Sequence, residues 1–320
     1  MTTYSIMMPF TPTRAEQILP YAALTQFSEA HRLWQGQSEI GDPHQSFTFA
    51  AASGFRVPAG TGVLLMPHRH PAAAAAHAQA LAVTMGHPVV AGYGPGAEIL
   101  QRALLGAPYR SPLTATREYL TIVREALTGK PVEHRGDHFS CRFALKPVPG
   151  PPVEVGAGVL RPAMARVAGE CADVAITWLA PADYLRDVIV PALREGAEAA
   201  GRPTPRLVSL VPVALAEDGR DLPAMVAAAH SGHLRLPHYA AMLRRCGIDV
   251  DTSDLPSAAR ALIKTGAFVG GRLPEIRDRL HAYAEAGADE IALNLSAVHV
   301  SEGGTTSLRE LHTILKEMTS

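Results

Sequence analysis

The chain has 320 residues, 47% of them hydrophobic and 18% charged, with a formal net charge of −1. That balance supports a large core and excludes a disordered chain, and with no block of basic residues neither nucleic acid nor an anionic membrane surface is an expected partner. The cysteines, Cys141, Cys171 and Cys246, are odd in number, widely spaced and free of a C-x-x-C pair, which excludes a disulfide framework and a structural zinc site and suits a reducing cytoplasm.

In chain order, short β-type runs alternate with helical patterns. A strand over 4–8 is followed by a helix over 14–27, with Thr13 as N-cap and Glu16 at capping-box spacing. A strand over 31–35 leads to a helix over 45–52. The next strand, 62–65, leads to a helix over 72–84 with Pro71 in its first turn. The fourth strand, 88–91, runs into the glycines Gly92, Gly94 and Gly96, and a helix over 113–127 stops at Gly129. Alternation around Arg135-Gly136-Asp137 predicts a hairpin over 132–143. Strands over 153–155, 174–177 and 207–215 follow, the last weakened by Pro212. Residues 222–266 are mostly helical, with a break at 249–255. A helix over 275–286, a strand over 290–295 and a helix over 308–318 close the chain.

Eight strands and their crossovers predict an α/β fold, a (β/α)8 TIM barrel forming one domain over 1–320. The insertions fall after strand four, a hairpin near 131–145, and after strand seven, a helical elaboration near 222–266. A doubly wound open sheet is the alternative. No secretory signal is visible at the N-terminus, and the alanine run at 72–76 is too short to span a bilayer.

Barrel enzymes carry their chemistry where strands end. Those points include Gln35, a candidate cofactor contact, the segment from Met66 to His70, the loop from Tyr93 to Gly96, Trp178, and 294–299. Gly94 and Gly96, and Gly156 with Gly158, follow strands, where backbone N–H groups can approach a phosphate. Neither loop matches G-x-G-x-x-G, and ordinary tight turns explain them equally well. His68-Arg69-His70-Pro71 is the densest polar cluster. As H-x-H it could ligate a metal, but strands one to four supply no carboxylate partners, so no metal site is assigned; a cofactor contact or a solvated loop remain. Trp34 and Trp178 end strands and can wall a ring-shaped ligand or pack the core. His77, His87, His281 and His312 are read as plain helix or turn histidines. No G-x-S-x-G elbow supports a serine hydrolase.

Several stretches, taken together and in order, resemble the luciferase-like monooxygenase superfamily, particularly its coenzyme F420 branch. They are Gly60-Thr61-Gly62-Val63 through Arg69-His70-Pro71; Gly92-Tyr93-Gly94-Pro95-Gly96; Arg117-Glu118-Tyr119-Leu120 with Gly136-Asp137-His138-Phe139; Ala168-Gly169-Glu170 with Ala172-Asp173 and Gly196 through Gly201-Arg202; and Gly270-Gly271 through Ala288-Asp289-Glu290. The resemblance implies a strand-three bulge at Gly62 and Val63, holding a non-proline cis peptide behind the central ring of the cofactor. It also implies that Gly94, Gly96, Gly156, Ala157, Gly158, Val159 and Leu160 meet a ribityl-phosphate tail. The cofactor implied is coenzyme F420, with FMN as the alternative.

The chain departs from the family where strand two ends. Trp34-Gln35-Gly36-Gln37 lacks the usual Asp and His, and Pro95 stands where sugar-phosphate dehydrogenases of this branch have a proton-donor Glu. His68 is then the candidate proton donor, with Tyr93 as a second catalytic candidate. The expected activity is hydride transfer between F420 and a small-molecule or peptide substrate, reducing an activated C=C or C=N bond. An FMN monooxygenase, a cofactor binder without catalysis and a metal hydrolase are the rivals, and a second copy of the chain is an open option as partner.

Overall fold

The structure is a computed structural model that describes residues 2–38, 40–248 and 254–319. Eight parallel strands close on themselves in the order β1 (Thr3–Met7), β2 (Leu33–Gln35), β3 (Ala59–Leu65), β4 (Val89–Gly94), β7 (Val153–Gly158), β8 (Val174–Trp178), β9 (Arg206–Leu215) and β11 (Glu290–Asn294), which pairs back to β1. The barrel expected from the alternation of strands and helices is therefore present. β5 (Val132–Arg135) and β6 (Ser140–Phe143) form a separate two-stranded hairpin, as the Arg135-Gly136-Asp137 turn predicts.

Two local expectations need correction, and one is only partly covered. A further strand, β10 (Val269–Gly271), pairs with the far end of β9, where only a motif and no strand was read. The first helical segment is capped one residue later than expected: Gln17 Oε1 accepts from the backbone N–H of Thr13 and Arg14, and Glu16 takes no part. Of the predicted break at 249–255, residues 249–253 lie outside the described residues; helices occupy Leu222–Leu234, Pro237–Arg245 and Leu255–Thr265.

Strand alternation sorts side chains into two cores. One set faces the helices; the other, including Trp34, Val90, Val174, Ile176, Val208 and Leu210, fills the lumen. Trp34 fits there because β3 offers a glycine opposite: a Cβ on Gly60 would lie 2.5 Å from the indole. The strand end that begins the barrel is closed by charge. Glu290 is 0% exposed, accepts from Ser5 Oγ and Trp34 Nε1, each at 2.6 Å, and faces Arg32 at 3.4 Å and Arg206 at 3.7 Å.

Most of the motifs behind the family resemblance are architectural. Gly169 and Gly196 let the helices Pro162–Cys171 and Val190–Ala199 touch backbone to backbone, since a Cβ on Gly196 would lie 2.1 Å from Arg166 O. Arg202 bonds the carbonyls of Glu170 and Ala172 and the Asp173 carboxylate, holding the end of the first of these helices. Glu118 accepts from the N–H groups of Asp137, His138 and Phe139, pinning the hairpin turn to helix Pro112–Leu127; these bonds hold its carboxyl below the usual range although burial acts the other way.

Candidate active site

The lumen is filled from the Glu290 end but opens toward the strand C-termini. β3 and β4 fall out of register between Thr61 and Leu64, so β3 carries one extra residue opposite Gly92. A bulge of this kind re-aims side chains, and Val63 now projects across the lumen: Cβ atoms on Gly94 and Gly158 would lie 2.9 and 3.3 Å from it. The Gly62–Val63 peptide is cis, as the resemblance implied. Gly62 and Val63 are partly exposed although Thr61 and Leu64 on either side are 1% and 2% exposed. Solvent therefore reaches them from inside the barrel. They form the floor of a mouth walled by Gly94, Gly158 and Trp178, with Gly36 closing over Gly62 O.

Gly156, on the inner face of β7, packs against Ile176 and Gly92 below that floor. Gly96 follows β4 with a left-handed φ of 71°. Ala157 and Val159 point outward into the helix layer, and the Val159 N–H is spent on Ile176 O at 2.7 Å. Gly158 is the member of this loop left facing the mouth, beside Val63, while Leu160 packs against the helix-side core. The helix they lead into begins at Pro162 with Arg161 as N-cap, and no side chain caps its first turn. Leu179, just past β8, holds a φ of 54°, rare for a large residue and frequent near functional sites.

Besides Ala157, Val159 and Leu160, two further expected site residues do not reach the mouth. On β4 the glycines face in, so Tyr93 faces out; it is 0% exposed, donates to Ala74 O at 3.3 Å and tilts against Tyr119. Burial raises its pKa far above the ordinary value. Tyr93 is thereby removed from the catalytic candidates. Gln35 likewise follows the inward Trp34 and turns toward helix Pro43–Ala52, where Nε2 donates to Ser46 Oγ at 3.4 Å.

His68 ends the turn Met66–His68 after β3 and is exposed. Its neighbours hold that turn in place. His70 caps helix Pro71–Met85, its Nδ1 accepting from Ala72 N–H. Arg69 reaches Asp42 at 2.5 Å and lies 3.2 Å from both His44 and His77. Sequence alone gave His77 no role, because nothing in the spacing joins it to Asp42. Among the described residues no group of His, Cys, Asp and Glu is arranged to hold a metal. Concavities of about 460 and 270 Å³ lie beside His44, lined by helices Pro43–Ala52 and Pro71–Met85 and not by Gly62, Val63 or Trp178.

On the far side of the mouth, the strand-end Trp178 and His299 named from the sequence are joined by two histidines that sequence reasoning missed, His230 and His233. Trp178 contacts His230 and His233 from helix Leu222–Leu234, with ring centroids 5.7 and 5.6 Å apart. On the β11 side, His299 stacks on Phe10 at 4.3 Å with its Nδ1 buried and unpartnered.

Comparison with known proteins bears on this arrangement. The family model described as luciferase-like monooxygenase matches residues 19–290. A 5,10-methylenetetrahydromethanopterin reductase of Methanolobus tindarius is 29% identical over 188 residues, 58% of this chain and 57% of that protein. An F420-dependent glucose-6-phosphate dehydrogenase of Nakamurella multipartita is 31% identical over 169 residues, 51% of this chain and 50% of that protein. The chain spans about half the length of the curated relatives it matches. Among solved structures, the coenzyme F420-dependent tetrahydromethanopterin reductase of Methanopyrus kandleri superposes with a TM-score of 0.78 at 19% identity, covering 99% of this chain and 98% of that one. An FMN-bound type II Baeyer–Villiger monooxygenase from Pseudomonas putida does so with 0.74 at 17%, over 99% and 98%.

Proposed function

Because the chain belongs to the luciferase-like monooxygenase family, we propose that it moves a hydride between coenzyme F420 and a small organic substrate, reducing an activated C=C or C=N bond. The observation that carries this is the shape of the mouth. Its floor of Gly62 and Val63 stays open to solvent while every level below is packed, and its walls at Gly94 and Gly158 lack side chains. A flat ring system fits such a slot. The fold also serves FMN enzymes, and the curated relatives named for F420 favour the deazaflavin.

The residues fit the group at its anionic end as well. Gly96 and the loop of Gly158 and Leu160 present backbone close to the mouth, and Arg161 sits at an uncapped helix start where N–H groups and the helix dipole favour an anion. Bound there, F420 would supply the hydride. The chain's own part is to orient the ring over Val63, to keep bulk water off it, and to deliver a proton. His68, exposed at the rim and held by its Arg69 and His70 neighbours, is the proposed proton donor.

Reconstitution with F420 and with FMN tests this reading. Anaerobic oxidation of reduced F420 coupled to substrate reduction is the expected result, and oxygen-dependent turnover with FMN alone would replace it with the monooxygenase. His68→Gln should lower turnover about 100-fold and leave the cofactor Kd within twofold. Full activity in that variant would assign the proton elsewhere.

A further inference from the structure

Beyond Trp178, which walls the mouth, a cluster of rings reaches to helix Leu222–Leu234, and its polar atoms are unusual. His230 is 1% exposed, and its Nε2 has no hydrogen-bond partner; Trp178 Nε1 is also buried and unpartnered. Leaving a buried donor or acceptor without a partner is costly. Around them stand His233, which meets Tyr239 edge to face at 5.3 Å, and His238, which meets Tyr239 at 4.9 Å. Trp178, His233, His238 and Tyr239 all keep part of their surface open. Yet packing pushes His233 down to about 4 and raises Tyr239 well above its ordinary value. These rings, open on one side and desolvated on the others, adjoin the mouth at the end of β8.

We propose that these rings line the substrate pocket and that it takes a neutral, planar carbonyl compound, its oxygen held by the Trp178 and His230 ring nitrogens. The proposal rests on the hydride-transfer reading and names its substrate class. Indole N–H can only donate, so the partner must be an acceptor. Burial pushes His230 down to about 3, so the imidazole stays neutral near pH 7 and offers no countercharge to a phosphate. The charge of Arg161 is felt at His238, on the side of the β7 loop, and not at His230 or His233. With an α,β-unsaturated carbonyl, a hydride supplied by reduced F420 would add to the β-carbon as the π pair moves onto the held oxygen, and the proton proposed to come from His68 would close the α-carbon, leaving the cofactor oxidised. Donors at that oxygen stabilise the charge as it forms.

The chain has two tryptophans, which makes the test direct. In 15N-labelled protein, with and without F420, 2-cyclohexen-1-one should move the indole N–H resonance of Trp178 and leave that of Trp34, bonded to Glu290, unmoved. Cyclohexyl phosphate should do so only at much higher concentration. His230→Phe, which keeps the ring but not the nitrogen, should weaken enone binding at least tenfold, about 1.4 kcal/mol. An unmoved Trp178 resonance in the wild type, tighter binding of the phosphate, or a His230→Phe Kd within twofold would overturn the pocket. Movement of Trp178 in a protein that binds no F420 would support the pocket and overturn the hydride-transfer reading instead.

Discussion

The two ends of the barrel solve opposite problems. At the end where strands begin, Glu290 sits among Ser5, Trp34, Arg32 and Arg206, and the atoms without a hydrogen bond there, Arg32 Nε and Glu290 Oε2, still face opposite charge at 3.4 and 3.7 Å. At the end where strands finish, Trp178 Nε1, His230 Nε2 and His299 Nδ1 face nothing. One end is compensated by its own charges; at the other, these ring nitrogens are not compensated by protein groups. Barrel enzymes divide stability and function between their faces in this way.

The largest test of that contrast is Glu290→Gln. It strips the countercharge from Arg32, which is 3% exposed, and an unpaired buried charge costs about 3–5 kcal/mol. Denaturant unfolding should show a loss of that size; a loss below 1 kcal/mol would mean that water or relaxation supports the network. Next comes acid sensitivity at the mouth. His230 is depressed to about 3, below its value in an unfolded chain, so the unfolded state binds more protons between those limits. Stability should therefore fall as pH drops from about 6.5 toward 3, by up to about 1.4 kcal/mol per pH unit for this residue. Melting of His230→Phe against pH should be flatter than wild type in that window, and parallel curves would show that His230 is not neutral and buried.

Smaller again is Gly136→Ala. A Cβ there would lie 2.3 Å from the Glu118 carboxylate, forcing it off the three N–H groups it holds, for a loss of about 1–3 kcal/mol confined to the hairpin. Hydrogen exchange should rise at residues 137–139 and stay unchanged in β4. The smallest effect belongs to Asp42→Asn. Although the His44 hydrogen bonds and Arg69 hold the Asp42 carboxyl well below the usual range, the side chain is 29% exposed, and the pair should be worth less than about 1 kcal/mol. That stability is present above the unfolded carboxylate range and lost only as pH falls below it.

The barrel was legible because its signals are local. Each of the eight strands is a compact apolar run next to a helix with its own stop or start, such as Pro71 or Gly129. β10 was not legible: three residues, Val269–Gly271, show no alternation and gain their partner only because β9 runs on past the barrel. The direction of Tyr93 was available and unused, since glycines at 92 and 94 already mark the inner face of β4. The Trp178–His230 contact joins residues 52 positions apart on different elements, and no spacing rule links them. The floor at Gly62 and Val63 was reached through family resemblance, because a single extra residue in a strand leaves no trace in periodicity.

Equilibrium titration of the purified chain with F420, comparing wild type with Gly158→Asp, tests the central claim most directly. The substitution puts a carboxylate beside Val63, on the loop proposed for the anionic tail. Saturable binding by the wild type, at least tenfold weaker in the variant with its melting temperature preserved, is the predicted result. No F420 binding by the wild type, or equal affinity in both proteins, would contradict it.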